Sequence, residues 1–372
     1  MTSSEIFAKL HEVASNPRKQ LDQYLAEGKK VVAVTYYTPN EIIHSMGLVP
    51  MGVWGADVQI NQAKKYFPAF ICSIMQSILE LGINGEYKGI SAIVIPSLCD
   101  SLKCIGQNWK YAVKDIPFIP MTYPQNRKPE YGKRFTKAGY ERVVSDLEAI
   151  TGAHFSTASL ANSNHIYNEH NAVMREFAEV ASEYKMTAQE RSDVFRSAWF
   201  MLPEEHTALV KELIAELKQG PKDERKVRVL VSGILADAPQ LLEIFEKYGI
   251  KIAFDDVCNE SRQYKVDVPE TVQNAMDGLV EKYCAMDDDT LLYDSKKSRV
   301  DYIVDQAKKH NADGVIVLMT KFCDPEEFDY VPIKRACEAA GLHQVNIEVD
   351  RQMVNYEPVS YTHLTLPTIC SV

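Results

Sequence analysis

The chain has 372 residues, enough for two or three domains of ordinary size. Hydrophobic residues make up 46% and charged residues 25%, which supplies real cores and excludes a disordered chain. The formal net charge of −10 comes with no basic stripe, which argues against a nucleic-acid partner.

The start, Met1-Thr-Ser-Ser-Glu-Ile-Phe-Ala-Lys-Leu10, lacks the basic then apolar pattern of a secretory signal. Apolar runs such as Val315–Met319 are far too short to span a bilayer, so no membrane role is expected and the protein is expected in the cytoplasm. Eight cysteines in a reducing compartment are either small buried hydrophobes or ligands for a soft metal site.

In chain order, Ile6, Leu10, Val13, Leu21 and Tyr24 space out an opening amphipathic helix. Lys30–Thr35 is an apolar strand, Pro39 starts a helix that Gly47 ends, and Val49–Trp54 is a second strand. A helix follows over Cys72–Leu81, then a buried strand at Ser91–Pro96, a helix over Asp100–Lys110, a strand at Phe118–Met121 and a helix over Tyr140–Ile150. Such alternation predicts a parallel sheet wrapped by helices. From Ser156 to Lys218 no strand signal occurs, and Ile166, Val173, Phe177 and Val180 keep helical spacing. Alternation resumes with strands at Val227–Ser232, Ile250–Phe254, Gly314–Thr320 and Gln344–Val349, and helices at Pro239–Tyr248, Ser298–His310 and Glu326–Ala340.

The expected fold is therefore α/β, with two Rossmann-like parallel-sheet units around a helical middle: residues 1–155, 156–222 and 223–358. The last stretch, 359–372, has no charged residue and fits no secondary-structure period. It resembles a translated sequencing adaptor and is read as an artefact, Cys370 included.

Open parallel sheets bind ligands beyond the carboxyl ends of their strands. Two cysteines fall there. Ser91-Ala-Ile-Val-Ile-Pro-Ser-Leu-Cys99-Asp100 and Asp313-Gly-Val-Ile-Val-Leu-Met-Thr-Lys-Phe-Cys323-Asp324 each run an apolar strand into a Cys-Asp pair that opens a helix. The partial positive charge of a helix N-terminus favours the thiolate, the metal-binding form. Cys72 opens a third helix. Three such corners would make a three-cysteine cluster site with one iron left open. Against this stands the plain alternative that each cysteine merely packs in a core, and no C-x-x-C pair argues otherwise. Cys104, about one turn past Cys99, faces the same side or simply packs. Cys258, Cys284 and Cys337 are read as structural, the first two in an irregular polar stretch. Arg262 meets a ligand phosphate, a partner or a surface carboxylate; Asp287-Asp-Asp289 reads as a solvated loop, His44 as a satisfied core histidine and Trp109 as buried.

Several segments carry a resemblance: Glu41–Pro50, Phe67-Pro-Ala-Phe-Ile-Cys-Ser73, Pro96-Ser-Leu-Cys-Asp100, Gly106-Gln-Asn-Trp-Lys110, Tyr123-Pro-Gln-Asn-Arg127, Gly233-Ile-Leu-Ala-Asp237 and Lys321-Phe-Cys-Asp-Pro-Glu-Glu327. Over nearly the whole chain to Pro358, the sequence resembles the 2-hydroxyacyl-CoA dehydratase family, nearest its beta-type subunits. The resemblance implies one 4Fe–4S cluster held by Cys72, Cys99 and Cys323. It implies a heterodimer with an alpha-type subunit, and a separate ATP-dependent iron–sulfur activator that injects one electron. The reaction implied is loss of water from an (R)-2-hydroxyacyl-CoA through a ketyl radical, giving a 2-enoyl-CoA. The chain has no G-x-x-x-x-G-K-[ST] loop, which agrees with the ATPase being another protein. No catalytic side chain is singled out. The alternatives are a benzoyl-CoA-reductase-like subunit and a non-catalytic iron–sulfur electron carrier. Family members usually continue past Tyr356-Glu357 with a final helix.

Overall fold

The computed structural model describes residues 1–353 together with Asn355 and Tyr356, so the adaptor-like stretch lies outside the described residues. The N-terminal part runs α1 (Ser3–Ser15), α2 (Pro17–Ala26), β1 (Val31–Val34), α3 (Asn40–Ser45), β2 (Val49–Gly52), α4 (Ser73–Ile83), β3 (Ala92–Pro96), α5 (Asp100–Ala112), β4 (Phe118–Met121) and α6 (Glu130–Thr151). Three helices follow: α7 (Thr157–Glu183), α8 (Ala188–Ser197) and α9 (Pro203–Leu217). The C-terminal part runs β5 (Val227–Gly233), α10 (Pro239–Lys247), β6 (Ile250–Val257), α11 (Ala275–Ala285), α12 (Arg299–Lys309), β7 (Gly314–Thr320), α13 (Asp324–Ala339) and β8 (His343–Val349).

The single opening helix expected from the periodicity is two. Asn16 ends α1 and its side chain caps α2, where Pro17 sits at the first turn. Proline lacks the N–H that a continuous helix needs, but a first turn does not need it. Helix α11 lies where an irregular stretch was expected, and β6 runs three residues beyond the expected Phe254, to Val257.

Each half carries a four-stranded sheet, ordered β2-β1-β3-β4 and β6-β5-β7-β8, with every pairing parallel. Strands covered on both faces read as continuous apolar runs, and Val31-Val-Ala-Val34, Ala92-Ile-Val-Ile-Pro96 and Gly314-Val-Ile-Val-Leu-Met-Thr320 are buried throughout. The expected α/β class with two Rossmann-like units is what is found. One core spans β1 and β3, α1, α4, α5 and the middle helices, and it reaches Ile234, Leu235 and Cys258 in the C-terminal part. Among the described residues no helix is long and apolar enough to cross a membrane.

Helix α5, which begins beside Cys99, is anchored by Trp109. Its indole is fully buried, stacks on Tyr87 and donates from Nε1 to the Ile116 carbonyl at 2.9 Å. Gly106 allows the close approach of the same helix to β4: a Cβ there would stand 2.5 Å from the Phe118 ring. Trp109→Ala removes a large buried ring and leaves a cavity, so it is expected to cost about 3–5 kcal/mol of stability in urea denaturation.

Candidate functional site

Cys72, Cys99 and Cys323 are the residues immediately preceding α4, α5 and α13, the N-cap position of each helix. None of the three makes a conventional capping hydrogen bond through its side chain, so the sulfurs are not committed to their own helices. They nevertheless feel the first-turn amides. Ile74 and Met75 favour the thiolate of Cys72, Ser101 and Leu102 that of Cys99, and Glu326 that of Cys323.

The three corners come from both halves of the chain and meet. Cys99 and Cys323 pack against the core that contains Cys72. Ile71 and Ser73, which flank Cys72, and Lys321 and Phe322, which precede Cys323, wall one cavity of 370 Å³. Each thiol bears on another's ionisation: Cys99 on Cys72, and Cys72 and Cys99 on Cys323. Phe322 holds a left-handed backbone with φ 61° just before Cys323, a conformation costly for a residue with a Cβ, and strain of this kind gathers at functional sites.

Burial is the largest influence on these thiols and disfavours their charged forms. It pushes Cys72 up to about 12 and raises Cys99. Cys323 lies well above the ordinary thiol value through burial, the Glu326 carboxylate and then the other two thiols. Without a cation among them the three sulfurs stay protonated at neutral pH. A bound cation displaces the protons. Among the described residues no three His, Cys, Asp or Glu side chains are close enough to grip one metal ion. Thiolates that ligate a cluster bind separate irons and stand further apart than ligands sharing an ion, so an all-sulfur donor set from three converging caps fits an iron–sulfur group.

Behind α13 lies a buried charge network. Asp256, near the end of β6, accepts from Arg262 Nε at 3.1 Å, Arg299 Nε at 2.8 Å and Lys265 Nζ at 3.1 Å. Arg299 also pairs with Glu326 at 3.1 Å and Asp329 at 3.0 Å. Arg262 reaches Cys258 Sγ at 3.0 Å. Burial would push the Asp256 carboxyl up, but the Arg262, Lys265 and Arg299 cations outweigh it and hold it well below the usual carboxylate range. Glu326 thus links the network to the Cys323 helix.

This arrangement corrects several expectations. Arg262 is fully buried and meets neither solvent nor a ligand phosphate; Asp256 and Cys258 hold it. Cys258 is buried in the turn that follows β6, an irregular stretch, whereas Cys284 lies in α11 and not in an irregular stretch. Asp289 is not solvated: it is buried and accepts from the Tyr36 and Tyr37 hydroxyls at 2.8 and 3.0 Å. Asp287 pairs with the buried Arg127 at 2.7 Å. Cys104 is exposed, whereas Cys337 is buried in α13. His44 is satisfied by Ser163 and Glu204 at 2.9 and 3.0 Å. Asp256, Arg299 and Glu326 are not legible in the sequence; the one available signal is an acidic pair, Asp255-Asp256, near the end of a mostly apolar strand.

Arg299→Met would leave three buried carboxylates, Asp256, Glu326 and Asp329, underpaired and is expected to cost about 3–5 kcal/mol at pH 7. The folded-state value of Asp256 lies below its unfolded one, so its pairing contributes fully above about pH 4 and fades as pH falls toward the folded value. The stability gap between wild type and variant, read from denaturant curves at a series of pH values, is therefore expected to narrow below about pH 4.

A family model for 2-hydroxyglutaryl-CoA dehydratase, D-component, matches residues 35–360. The chain is 44% identical over 360 residues to the (R)-phenyllactyl-CoA dehydratase beta subunit of Clostridium sporogenes, covering 95% of this chain and 96% of that one. It is 42% identical to lactoyl-CoA dehydratase subunit beta of Anaerotignum propionicum, with 95% and 96% covered, and 36% identical to (R)-2-hydroxyglutaryl-CoA dehydratase, subunit beta, of Acidaminococcus fermentans, with 94% and 95% covered. With a family model over most of its length and three full-length relatives that are all beta subunits, the chain belongs to the 2-hydroxyglutaryl-CoA dehydratase D-component family.

Proposed function

We propose that this chain is the iron–sulfur beta-type subunit of an (R)-2-hydroxyacyl-CoA dehydratase, working with an alpha-type partner and an ATP-dependent activator in the cytoplasm. The observation that carries the reading is the meeting of Cys72, Cys99 and Cys323, drawn from both sheets, each at the head of a helix. A 4Fe–4S cluster bound there supplies one-electron transfer, the hard chemistry that side chains cannot perform.

The chain's own residues supply the setting. The three sulfurs provide negative charge once their protons are displaced. First-turn amides of α4, α5 and α13 point partial positive charge at that negative charge. Leu98 and Phe322 beside the cysteines keep the corner apolar, and Phe322 stands 38% exposed, at the surface where a partner would meet it. The network of Arg262, Arg299 and Asp256 fixes Glu326, so the start of α13 is held rigidly against β6.

Elimination of water from a 2-hydroxyacyl thioester needs this electron because the proton to be removed at the β-carbon is very weakly acidic. Reduction of the thioester carbonyl to a ketyl makes hydroxide at the neighbouring carbon a feasible leaving group. The beta-type chain stores or relays the electron, and the alpha-type partner binds the thioester.

Anaerobically purified protein is expected to be brown and to carry about four irons per chain. Cys99→Ser and Cys323→Ser should lose most of the iron, while Cys337→Ser keeps it. Full iron retention in Cys323→Ser would remove that residue from the ligand set. Dehydration should require the alpha-type partner, activator and ATP together; turnover by the isolated chain would overturn the relay assignment.

A further inference from the structure

One member of the buried charge network faces the Cys323 corner itself. Glu326 is the third residue of α13, the helix that Cys323 opens, and it is 1% exposed. A glutamate at this position commonly reaches back to the amide of the residue that opens the helix. Here that amide is taken, because Cys323 donates to the Thr320 carbonyl at 2.9 Å. The Glu326 carboxylate turns inward instead, to Arg299 at 3.1 Å and Arg262 at 3.5 Å.

Neither cation belongs to Glu326 alone. Asp256 takes Arg262 at 3.1 Å and Arg299 at 2.8 Å, and Asp329 takes Arg299 at 3.0 Å. Lys265 and Lys297 pair with Asp256 and Asp329, not with Glu326. Three buried carboxylates thus share two buried guanidiniums, and Glu326 makes the longest contacts of the three. Its charge is the least compensated, and no water is beside it to screen it. Both the amide and the carboxylate of Glu326 bear on the Cys323 sulfur. The amide dipole favours negative charge there, and the carboxylate opposes it. Asp324 and Glu327, the other acids of the first turn, are exposed.

We infer that Glu326 lowers the reduction potential of the cluster that Cys72, Cys99 and Cys323 hold, with Arg299 and Arg262 as its counterweight. The inference rests on the iron–sulfur reading above. Reduction by the activator places one electron on the cluster, and no bond of the chain forms or breaks. The reduced cluster carries one more negative charge than the oxidised one. A buried carboxylate beside it disfavours that state, and a buried guanidinium favours it. Net charge near the sulfurs is one of the levers by which proteins spread cluster potentials. Glu326 is therefore a positioning residue of charge: it neither ligates the cluster nor meets substrate, and it acts through its field. A low potential is what a donor to a thioester carbonyl needs.

The test is a redox titration of the anaerobically purified full chain, followed by electron paramagnetic resonance at pH 7, with iron counted in every sample. A titanium(III) complex is the reductant. Glu326→Gln keeps the side-chain shape and removes the charge. Its reduction equilibrium constant is expected to rise tenfold or more, about 59 mV upward for one electron. Arg299→Gln is expected to shift the constant downward as far. Arg299→Lys keeps the charge and should stay within about threefold of wild type. Glu327→Gln removes an exposed charge one residue along and should also stay within about threefold. A loosened corner that merely admits water would move Glu326→Gln and Arg299→Gln the same way, whereas a charge effect moves them apart. Should Arg299→Gln fail to fold, the other three variants still decide. An iron-loaded Glu326→Gln with an unchanged or lowered potential would overturn the inference. So would an upward shift in Arg299→Gln, or equal shifts in Glu326→Gln and Glu327→Gln. Any of these would leave the dehydratase reading standing. Wild-type protein without iron would overturn the cluster reading itself, and this inference with it.

Discussion

Every helix begins with amides that its own backbone cannot satisfy, and in a parallel sheet those beginnings lie at the carboxyl edge of the strands. The present structure depends on that constraint. Both sheets are wholly parallel, so chain after chain of backbone leaves a strand at one edge and turns there into a helix. Cys99 follows β3 and Cys323 follows β7 in this way. Cys72 follows a long loop after β2, yet it also ends at the head of a helix. Partial positive charge is therefore concentrated where three thiols meet, while burial holds those thiols in their neutral form. The two tendencies oppose each other until a cation arrives, as a metal- or cluster-binding thiol site requires.

The buried ions behind the site obey a different rule. Removing charges from water is expensive, and pairing them restores only part of that cost. A network such as Asp256 with Arg262, Arg299 and Lys265 is therefore a poor source of stability. Its effect is directional: five or more fixed hydrogen bonds allow β6, α12 and the start of α13 only one mutual arrangement. The same carboxylate-and-guanidinium logic recurs at Arg191, which pairs with Asp255 and Glu260 and so ties α8 to the other side of β6. Adjacent acids at 255 and 256 thus serve opposite faces of one strand.

Much of this was legible in the residues, and what was not has physical reasons. The apolar runs of β3 and β7 are strong because both faces are covered, and the Cys-Asp pairs after them stand out for the same reason. The break between α1 and α2 is hidden because the apolar spacing continues across it; Asn16-Pro17 is the signal that marks it. Helix α11 is hard to read from the sequence because it is short, only weakly amphipathic and bounded by polar loops, so tertiary packing on α6 and α7 decides it. Beyond the acid pair at 255–256, the ion network is not legible in the sequence. Its members, Ser232, Asp256, Arg262, Arg299, Glu326 and Asp329, are scattered over about a hundred residues, and only the fold brings them together.

The place of α1 bears on how the chain is made. Its apolar face, with Ile6, Leu10 and Val13, is buried against α8 and α9, and His11 meets Asp193 at 2.7 Å. The ribosome releases this helix early and its docking surface much later. Roughly 200 residues separate them, a delay of about 10–40 s at ordinary rates of translation. Through that interval the first amphipathic segment of the nascent chain has nowhere native to go. Its exposed face is then a natural handhold for a ribosome-associated chaperone, and synthesis faster than chaperone supply would lead to aggregation before the second half of the protein exists.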